Sequence, residues 1–227
     1  MDWVTKRYYS LNSIVRALQN QKTGKKDNVT LEHFSEEKKY TAALIVGGGP
    51  GAVAHADALH DFINTTKDIV VIHASSKNAL SFEKVSSEQI FCLVGNEGHR
   101  MEEVFGHKQK INGRCVLPPF PRKMGTYIPA SLRTSAYELN EVSFTDKYED
   151  SHTALALQTA IELGVSVIYV TGYDGYEGQS IGKKEQELFM ENEYLFRKMK
   201  EAGRTLYSIT PTTYKELEPR SVYASVS

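Results

Sequence analysis

Short apolar runs alternate with amphipathic stretches along most of the chain. Six of the runs predict buried strands, and most of these are rich in valine and isoleucine. They cover residues 42–46, 69–73, 90–94, 114–117, 166–171 and 205–209. Helical periodicity is found in four other stretches, at residues 51–65, 98–105, 151–163 and 183–202. Strands that alternate with helices in this way predict an α/β fold, with a doubly wound, mostly parallel sheet and helices on both faces.

Residues 1–40 do not follow this alternation. Residues 10–21 have apolar side chains on one face of a predicted helix, and residues 21–28 are polar and interrupted by a glycine. We predict a helical arm or linker at 1–40 and one domain at 41–227. The arm would pack on the domain as a helical hairpin, connect it to another part of a longer polypeptide, or serve in oligomerisation.

The segment from Pro118 to Asp150 has four prolines and no clean period. Loops of this length inside compact domains are commonly lids or binding loops. We therefore expect a loop on the substrate side of the domain. A structural excursion or a subunit contact is the alternative.

The charge balance excludes some classes of partner. The chain has 27 basic and 28 acidic side chains, so it has no excess of positive charge for binding nucleic acid or a membrane surface. No apolar run approaches the roughly 18 residues of a membrane-spanning helix. The sequence also has no signal-peptide pattern at its start, and we expect a cytoplasmic protein. Zinc motifs of the C-x-x-C and H-E-x-x-H types are absent, and we predict no protein-ligated metal site.

The first candidate site is the glycine turn, residues 47–51, which follows the first strand. Four of its five residues are glycine: Gly47, Gly48, Gly49 and Gly51. Each glycine adds to the entropy lost on folding, so we expect some group to approach this backbone closely. A turn between a strand and a helix is also where α/β proteins bind phosphate. The alternative is a tight turn without a ligand.

The turn also fits part of the dinucleotide fingerprint G-x-G-x-x-G/A, through Gly47, Gly49 and Ala52. That fingerprint requires an acidic residue at the end of the second strand, to bind a ribose hydroxyl. Here the strand ends in His73 and small polar residues, without a carboxylate. The missing acid argues against NAD or FAD and leaves a different nucleotide as the expected ligand.

Two more candidate sites follow later elements. The helix predicted at 151–163 starts with Ser151, His152 and Thr153, which could bind an anion, and His152 has the pKa range of a general acid or base. Asp174 follows the predicted strand 166–171, where it could accept a hydroxyl or hold a divalent cation through water. Each has a simpler alternative: a surface histidine in the first case and a turn-forming Asp-Gly in the second.

Residues after the third predicted strand would lie at the same edge of the sheet. Asn96 and Arg100 are candidates there for contacting a phosphate, and polar residues of a solvated loop are the simpler alternative.

The order of these motifs over residues 41–175 resembles a Rossmann-like group of proteins. It contains motility-associated flagellin glycosyltransferases, archaeal hydroxymethylpterin pyrophosphokinases and bacterial CMP-sialic-acid sialyltransferases. The resemblance implies that a nucleotide is contacted by residues matching the motifs of that group. These are Gly47, Gly49, Pro50, Gly51, Ser75, Asn78, Ser151, Thr153, Gly172 and Asp174. Gly51 stands where the group has serine, and no histidine follows His152, which argues against sialyl transfer by the mechanism of that group.

We therefore expect a Rossmann-like domain that binds a nucleotide or sugar nucleotide, with His152 and Asp174 as candidate catalytic residues. A transferase of cell-surface glycan biosynthesis is the first hypothesis. Domains of this type also accompany aldolase-type enzymes, so a non-catalytic C-terminal regulatory or assembly domain is the second hypothesis. An NAD- or FAD-dependent oxidoreductase is the third.

Overall fold

A computed structural model of the chain describes residues 40–106, 111–120, 122, 126–176 and 182–225. Its strands form one sheet in which every neighbouring pair is parallel, in the order β5-β4-β3-β2-β1-β6-β7-β8. The strands are β1 (Ala42–Val46), β2 (Ile69–His73), β3 (Gln89–Cys92), β4 (Arg114–Leu117), β5 (Ala136–Glu138), β6 (Val167–Thr171), β7 (Leu206–Ser208) and β8 (Glu218–Pro219). The doubly wound α/β prediction is confirmed. The predicted arm at 1–40 lies outside the described residues, except for Tyr40.

The described residues form five α-helices and three short 3-10 helices. The α-helices are α1 (Gly51–Ala54), α2 (Ala56–Thr65), α3 (Glu97–Val104), α4 (His152–Glu162) and α5 (Lys183–Glu201). The 3-10 helices cover Ser76–Phe82, Ala130–Ser135 and Val222–Ser225. None of the described helices combines the length and the apolar character needed to cross a bilayer.

Apolar side chains of the central strand β1 point alternately to two cores. Ala43 and Ile45 pack with α4 and α5 on one face of the sheet. Leu44 and Val46 pack with α2 on the other. Burial on both faces explains why the central strands are continuous apolar runs.

The structure departs from the predicted elements in three places. The helix predicted at 51–65 is two helices, interrupted at His55, whose backbone φ of −113° is not helical. The segment 118–150, expected to be an irregular loop, contains a 3-10 helix and the edge strand β5. The second edge strand, β8, is only two residues long and has no apolar pattern, so periodicity does not reveal it.

A buried histidine at the end of β2 should make stability depend on pH. His73 is 1% exposed, stacks on Phe91 and lies 2.9 Å from the Gln89 side chain through Nε2. Burial lowers its pKa to about 4, although the Gln89 hydrogen bond opposes this. The unfolded chain, with a histidine pKa of about 6.5, therefore binds the proton first as the pH falls.

Because the unfolded chain binds a proton at His73 first, we expect the free energy of unfolding to fall by roughly 3 kcal/mol as the pH is lowered from about 6.5 to 4. Urea unfolding at several pH values in this window measures the slope. A His73→Phe variant keeps an aromatic ring on Phe91 and should show a shallower slope. Equal slopes for the variant and the wild type would contradict this assignment.

Candidate functional site

The candidate site lies where the chain reverses its direction of travel across the sheet. Strand β1 pairs with β2 on one side and with β6 on the other. In open parallel sheets, ligands bind at such a switch point, beyond the carboxyl ends of the strands. A cavity of about 360 Å³ opens there, between the loops that follow β1, β2 and β6 and the first turns of α3 and α4.

The structure gathers most of the candidate residues around this cavity. Those that line it are Gly48, Gly49, Ser75, Arg100, His152, Thr153, Gly172 and Asp174. Those that do not line it are Gly47, Gly51, Asn78, Asn96 and Ser151. No described residue of the segment 118–150, expected on the substrate side, lines the cavity.

The group that closely approaches the glycine turn is the loop after β6. A Cβ on Gly47 or on Gly49 would lie 2.6 Å from the carbonyl oxygen of Gly172. A Cβ on Gly49 or on Gly51 would also overlap the Asp174 carboxylate. Gly172 itself has a φ of +71° and faces Gly47. These glycines are thus explained by contacts inside the protein.

The end of β6 and the loop after it accept hydrogen bonds from backbone amides of the glycine turn. The N–H of Gly47 donates to the Thr171 carbonyl at 2.8 Å, and the N–H of Gly49 donates to the Gly172 carbonyl at 2.8 Å. The N–H of Gly51, at the start of α1, donates to Asp174 Oδ2 at 3.1 Å. An internal carboxylate therefore stands at the position where a phosphate was expected.

Asn78 forms hydrogen bonds to the backbone of the glycine turn. Its Nδ2 donates to the carbonyls of Gly47 at 3.0 Å and Gly49 at 2.8 Å. This buried side chain belongs to the 3-10 helix Ser76–Phe82, which lies beside the turn. Ser75 caps that helix by accepting the Lys77 N–H. Asn78 thus fixes the shape of the turn from outside the cavity.

The most highly connected charge of the site is Glu97, at the start of α3. Its side chain is 2% exposed, and Oε1 accepts both the N–H and the hydroxyl of Ser76 at 2.6 Å. Oε2 accepts from Arg100 at 2.8 Å and lies 3.5 Å from His152 Nε2. Burial alone would raise the pKa of Glu97, but His152, Arg100 and Ser76 together lower it to about 2.

His152 is the first residue of α4 and lines the cavity beside Glu97. Ser151 is the N-cap of α4, because its Oγ accepts the Ala154 N–H at 2.9 Å. The cap and the Glu97 carboxylate together fix the position of the imidazole. Lys77, Arg100 and His152 thus line the cavity together with Glu97.

A buried hydrogen-bond network of hydroxyl and amide groups also lines the cavity. Thr153 Oγ1 donates to the Asn192 side chain at 2.7 Å, and Asn192 donates to the Tyr214 hydroxyl at 3.1 Å. The Tyr173 hydroxyl lies 3.2 Å from Thr153 Oγ1. Burial raises the pKa of both tyrosines, so they are neutral hydrogen-bonding groups at pH 7.

Sequence reasoning missed Lys77, Glu97, Asn192 and Tyr214, all of which line the cavity. Lys77 and Glu97 lie within short polar stretches that follow β2 and β3, and their positions after strands were the available signal. Asn192 and Tyr214 carried no such signal, since they reach the site from a long helix and a distant loop. Within the described part of the chain, no three His, Cys, Asp or Glu side chains are grouped to hold a metal ion.

Comparison with known proteins adds information at the level of the fold. Neither protein-family models nor curated proteins match the sequence. Among solved structures, the chain is similar to the MAf glycosyltransferase from Magnetospirillum magneticum AMB-1, with a TM-score of 0.55 and 13% sequence identity. The similarity covers 93% of this chain and 38% of that protein. The chain therefore shares its Rossmann-like α/β architecture with a MAf glycosyltransferase.

Proposed function

We propose that this chain binds a sugar nucleotide and acts as a transferase in glycan biosynthesis. The observation that carries the proposal is the cavity at the switch point between β1 and β6, because its lining residues include both hydrogen-bond donors with positive charge and a carboxylate acceptor. Lys77 and Arg100 offer hydrogen-bond donors for a phosphate, whereas Asp174 offers an acceptor for hydroxyls. A nucleotide joined to a sugar has both kinds of group.

The size and the apolar surface of the cavity support the same ligand class. Its volume of about 360 Å³ falls within the range of small-molecule sites. Tyr176, Leu188 and Tyr214 are among the lining residues, and a base or sugar ring could pack against them. The architecture shared with a glycosyltransferase favours sugar transfer over phosphoryl transfer.

In the proposed reaction, the bond from the anomeric carbon to the nucleotide phosphate breaks, and a bond to an acceptor hydroxyl oxygen forms. The hydroxyl proton passes to a base, for which His152 is the candidate, and the phosphate leaves with the bonding electrons. Positive charge on Arg100 and Lys77 would stabilise that leaving group. Glu97 would hold His152 in place, and Asp174 would orient the sugar.

Thermal unfolding with a panel of CMP, CDP, UDP-sugars, NAD and FAD tests the proposal. A ligand at about 100 times its Kd should stabilise the protein by about 2.7 kcal/mol. We expect stabilisation by a nucleotide or sugar nucleotide, and a smaller effect of the same ligand on an Arg100→Ala variant. An Arg133→Ala variant, outside the cavity, is the matched control.

The other outcomes identify the alternatives. Stabilisation by NAD or FAD alone would favour an oxidoreductase. The absence of a shift with every nucleotide would overturn the proposal and favour a non-catalytic assembly domain, such as one beside an aldolase-type enzyme. If a sugar nucleotide binds but no free nucleotide is released in the presence of candidate acceptors, the chain is a binding domain and not a transferase. We also propose a cytoplasmic location, which cell fractionation tests. A homo-oligomer is a further proposal, which light scattering tests.

A further inference from the structure

The residues of the glycine turn differ in what they offer a ligand. The amides of Gly49 and Gly51 donate to Gly172 and Asp174, so they are already used within the protein. Helix α1 is only four residues long, and the Asp174 carboxylate lies at its start. A phosphate placed there would meet a negative charge at close range.

Gly48, between Gly47 and Gly49, has the opposite character. A Cβ on Gly48 would lie 3.3 Å from Ser75 Oγ and 3.8 Å from Cδ of Lys77, so both side chains flank Gly48. The Gly48 amide donates to no group in the described part of the chain. Lys77 has no carboxylate partner among the described residues, and its side chain lines the cavity.

We infer that Asp174 divides the site: the phosphate of the ligand binds on the Gly48 side, between Ser75 and Lys77, and Asp174 binds a sugar or ribose hydroxyl. This inference rests on the proposed function and assigns the direction in which the ligand lies. Asp174 is then a specificity-determining residue that keeps anions away from Gly49 and Gly51.

Hydrogen-bonding chemistry supports both parts of the assignment, the hydroxyl at Asp174 and the phosphate at Lys77. An ionised carboxylate only accepts hydrogen bonds, so it matches hydroxyls and repels phosphate oxygens. A lysine ammonium only donates, and it forms strong charge-assisted hydrogen bonds with phosphate. The Ser75 oxygen already accepts the Lys77 N–H, which leaves its own O–H proton to donate to the ligand.

The direction is tested with two probes that differ in their hydroxyls. Inorganic pyrophosphate has phosphates and no sugar, whereas the best-binding nucleotide of the panel has both. Titration calorimetry at low salt measures each probe against Lys77→Ala and Asp174→Asn. Lys84→Ala, which removes an exposed lysine outside the cavity, is the matched control for charge.

We expect Lys77→Ala to weaken both probes about tenfold, as the loss of one charge-assisted hydrogen bond predicts, and Lys84→Ala to change neither more than about twofold. Asp174→Asn should weaken the nucleotide and should leave pyrophosphate binding equal or tighter. Circular dichroism and the melting temperature confirm that each variant is folded.

Two results would overturn the inference. The first result is that pyrophosphate fails to bind the wild type, or that it binds the Lys77→Ala variant as tightly as the wild type. The other is a gain of pyrophosphate affinity in Asp174→Asn that persists when Lys77 is also replaced, because the anion then lies against Gly49 and Gly51. If the wild type still binds a nucleotide of the panel, the proposed function survives and only the direction is wrong. If no nucleotide binds, both fail.

Discussion

Replacing Gly49 with alanine should lower the free energy of unfolding by about 3 kcal/mol, although only one methyl group is added. The new Cβ would lie 2.6 Å from the Gly172 carbonyl and would overlap the Asp174 carboxylate. The carbonyl belongs to the backbone that accepts the Gly49 N–H, so it cannot move without losing that hydrogen bond. Urea unfolding at pH 7 measures the change.

Gly48→Ala is the matched control for this experiment. Neither Gly48 nor Gly49 has a positive φ, so alanine itself strains neither backbone. A Cβ on Gly48 meets a side-chain oxygen of Ser75 at 3.3 Å, and a small shift relieves the contact. We expect a loss of less than about 1 kcal/mol. Equal losses at both positions would contradict the close packing described for Gly49.

Replacing Glu97 with glutamine should cost about 3 kcal/mol at pH 7. The amide removes the negative charge that pairs with Arg100 and lies beside His152, and its NH₂ group would face a donor from Ser76 or from Arg100. Glu201→Gln is the control, because Glu201 forms ion pairs on an exposed surface of α5 and is worth less than about 1 kcal/mol. A Glu97→Gln loss no larger than that of Glu201→Gln would refute the central role of Glu97.

The same variant has a characteristic dependence on pH. The pKa of Glu97 is lowered to about 2 in the folded chain, below its usual value of 4.5. The stability that Glu97 contributes is therefore present above about pH 4.5 and is lost as the pH falls towards 2. Glu97→Gln should lose less stability than the wild type over that interval. Acid unfolding of both proteins, followed by circular dichroism, checks the sign.

The sequence predicts the central part of the fold better than its edges. Strands β1, β2 and β4 have their predicted bounds, since a strand buried on both faces is a run of valine, isoleucine and leucine. Strand β5 has three residues and β8 has two, too few for any periodicity. Their existence follows from pairing with β4 and β7, which is information from tertiary structure.

The candidate site is predictable in its location and less so in its contacts. Residues after parallel strands meet at one edge, and this brings Gly48, Ser75 and Asp174 to one cavity. The contact of Asp174 with Gly49 joins residues 125 positions apart in the chain, and no local pattern contains it. Four clustered glycines indicate that something approaches closely, but their pattern does not distinguish a bound phosphate from a neighbouring loop.

The hydrogen bonds between the glycine turn and the loop after β6 have a consequence for ligand recognition. They continue the β1–β6 ladder beyond Val46 and Thr171, so the turn is a rigid extension of the sheet. A ligand that binds here would find its contacts preorganised and would lose little affinity to the ordering of a loop. Affinity should then be governed by the fit of the ligand to a fixed shape.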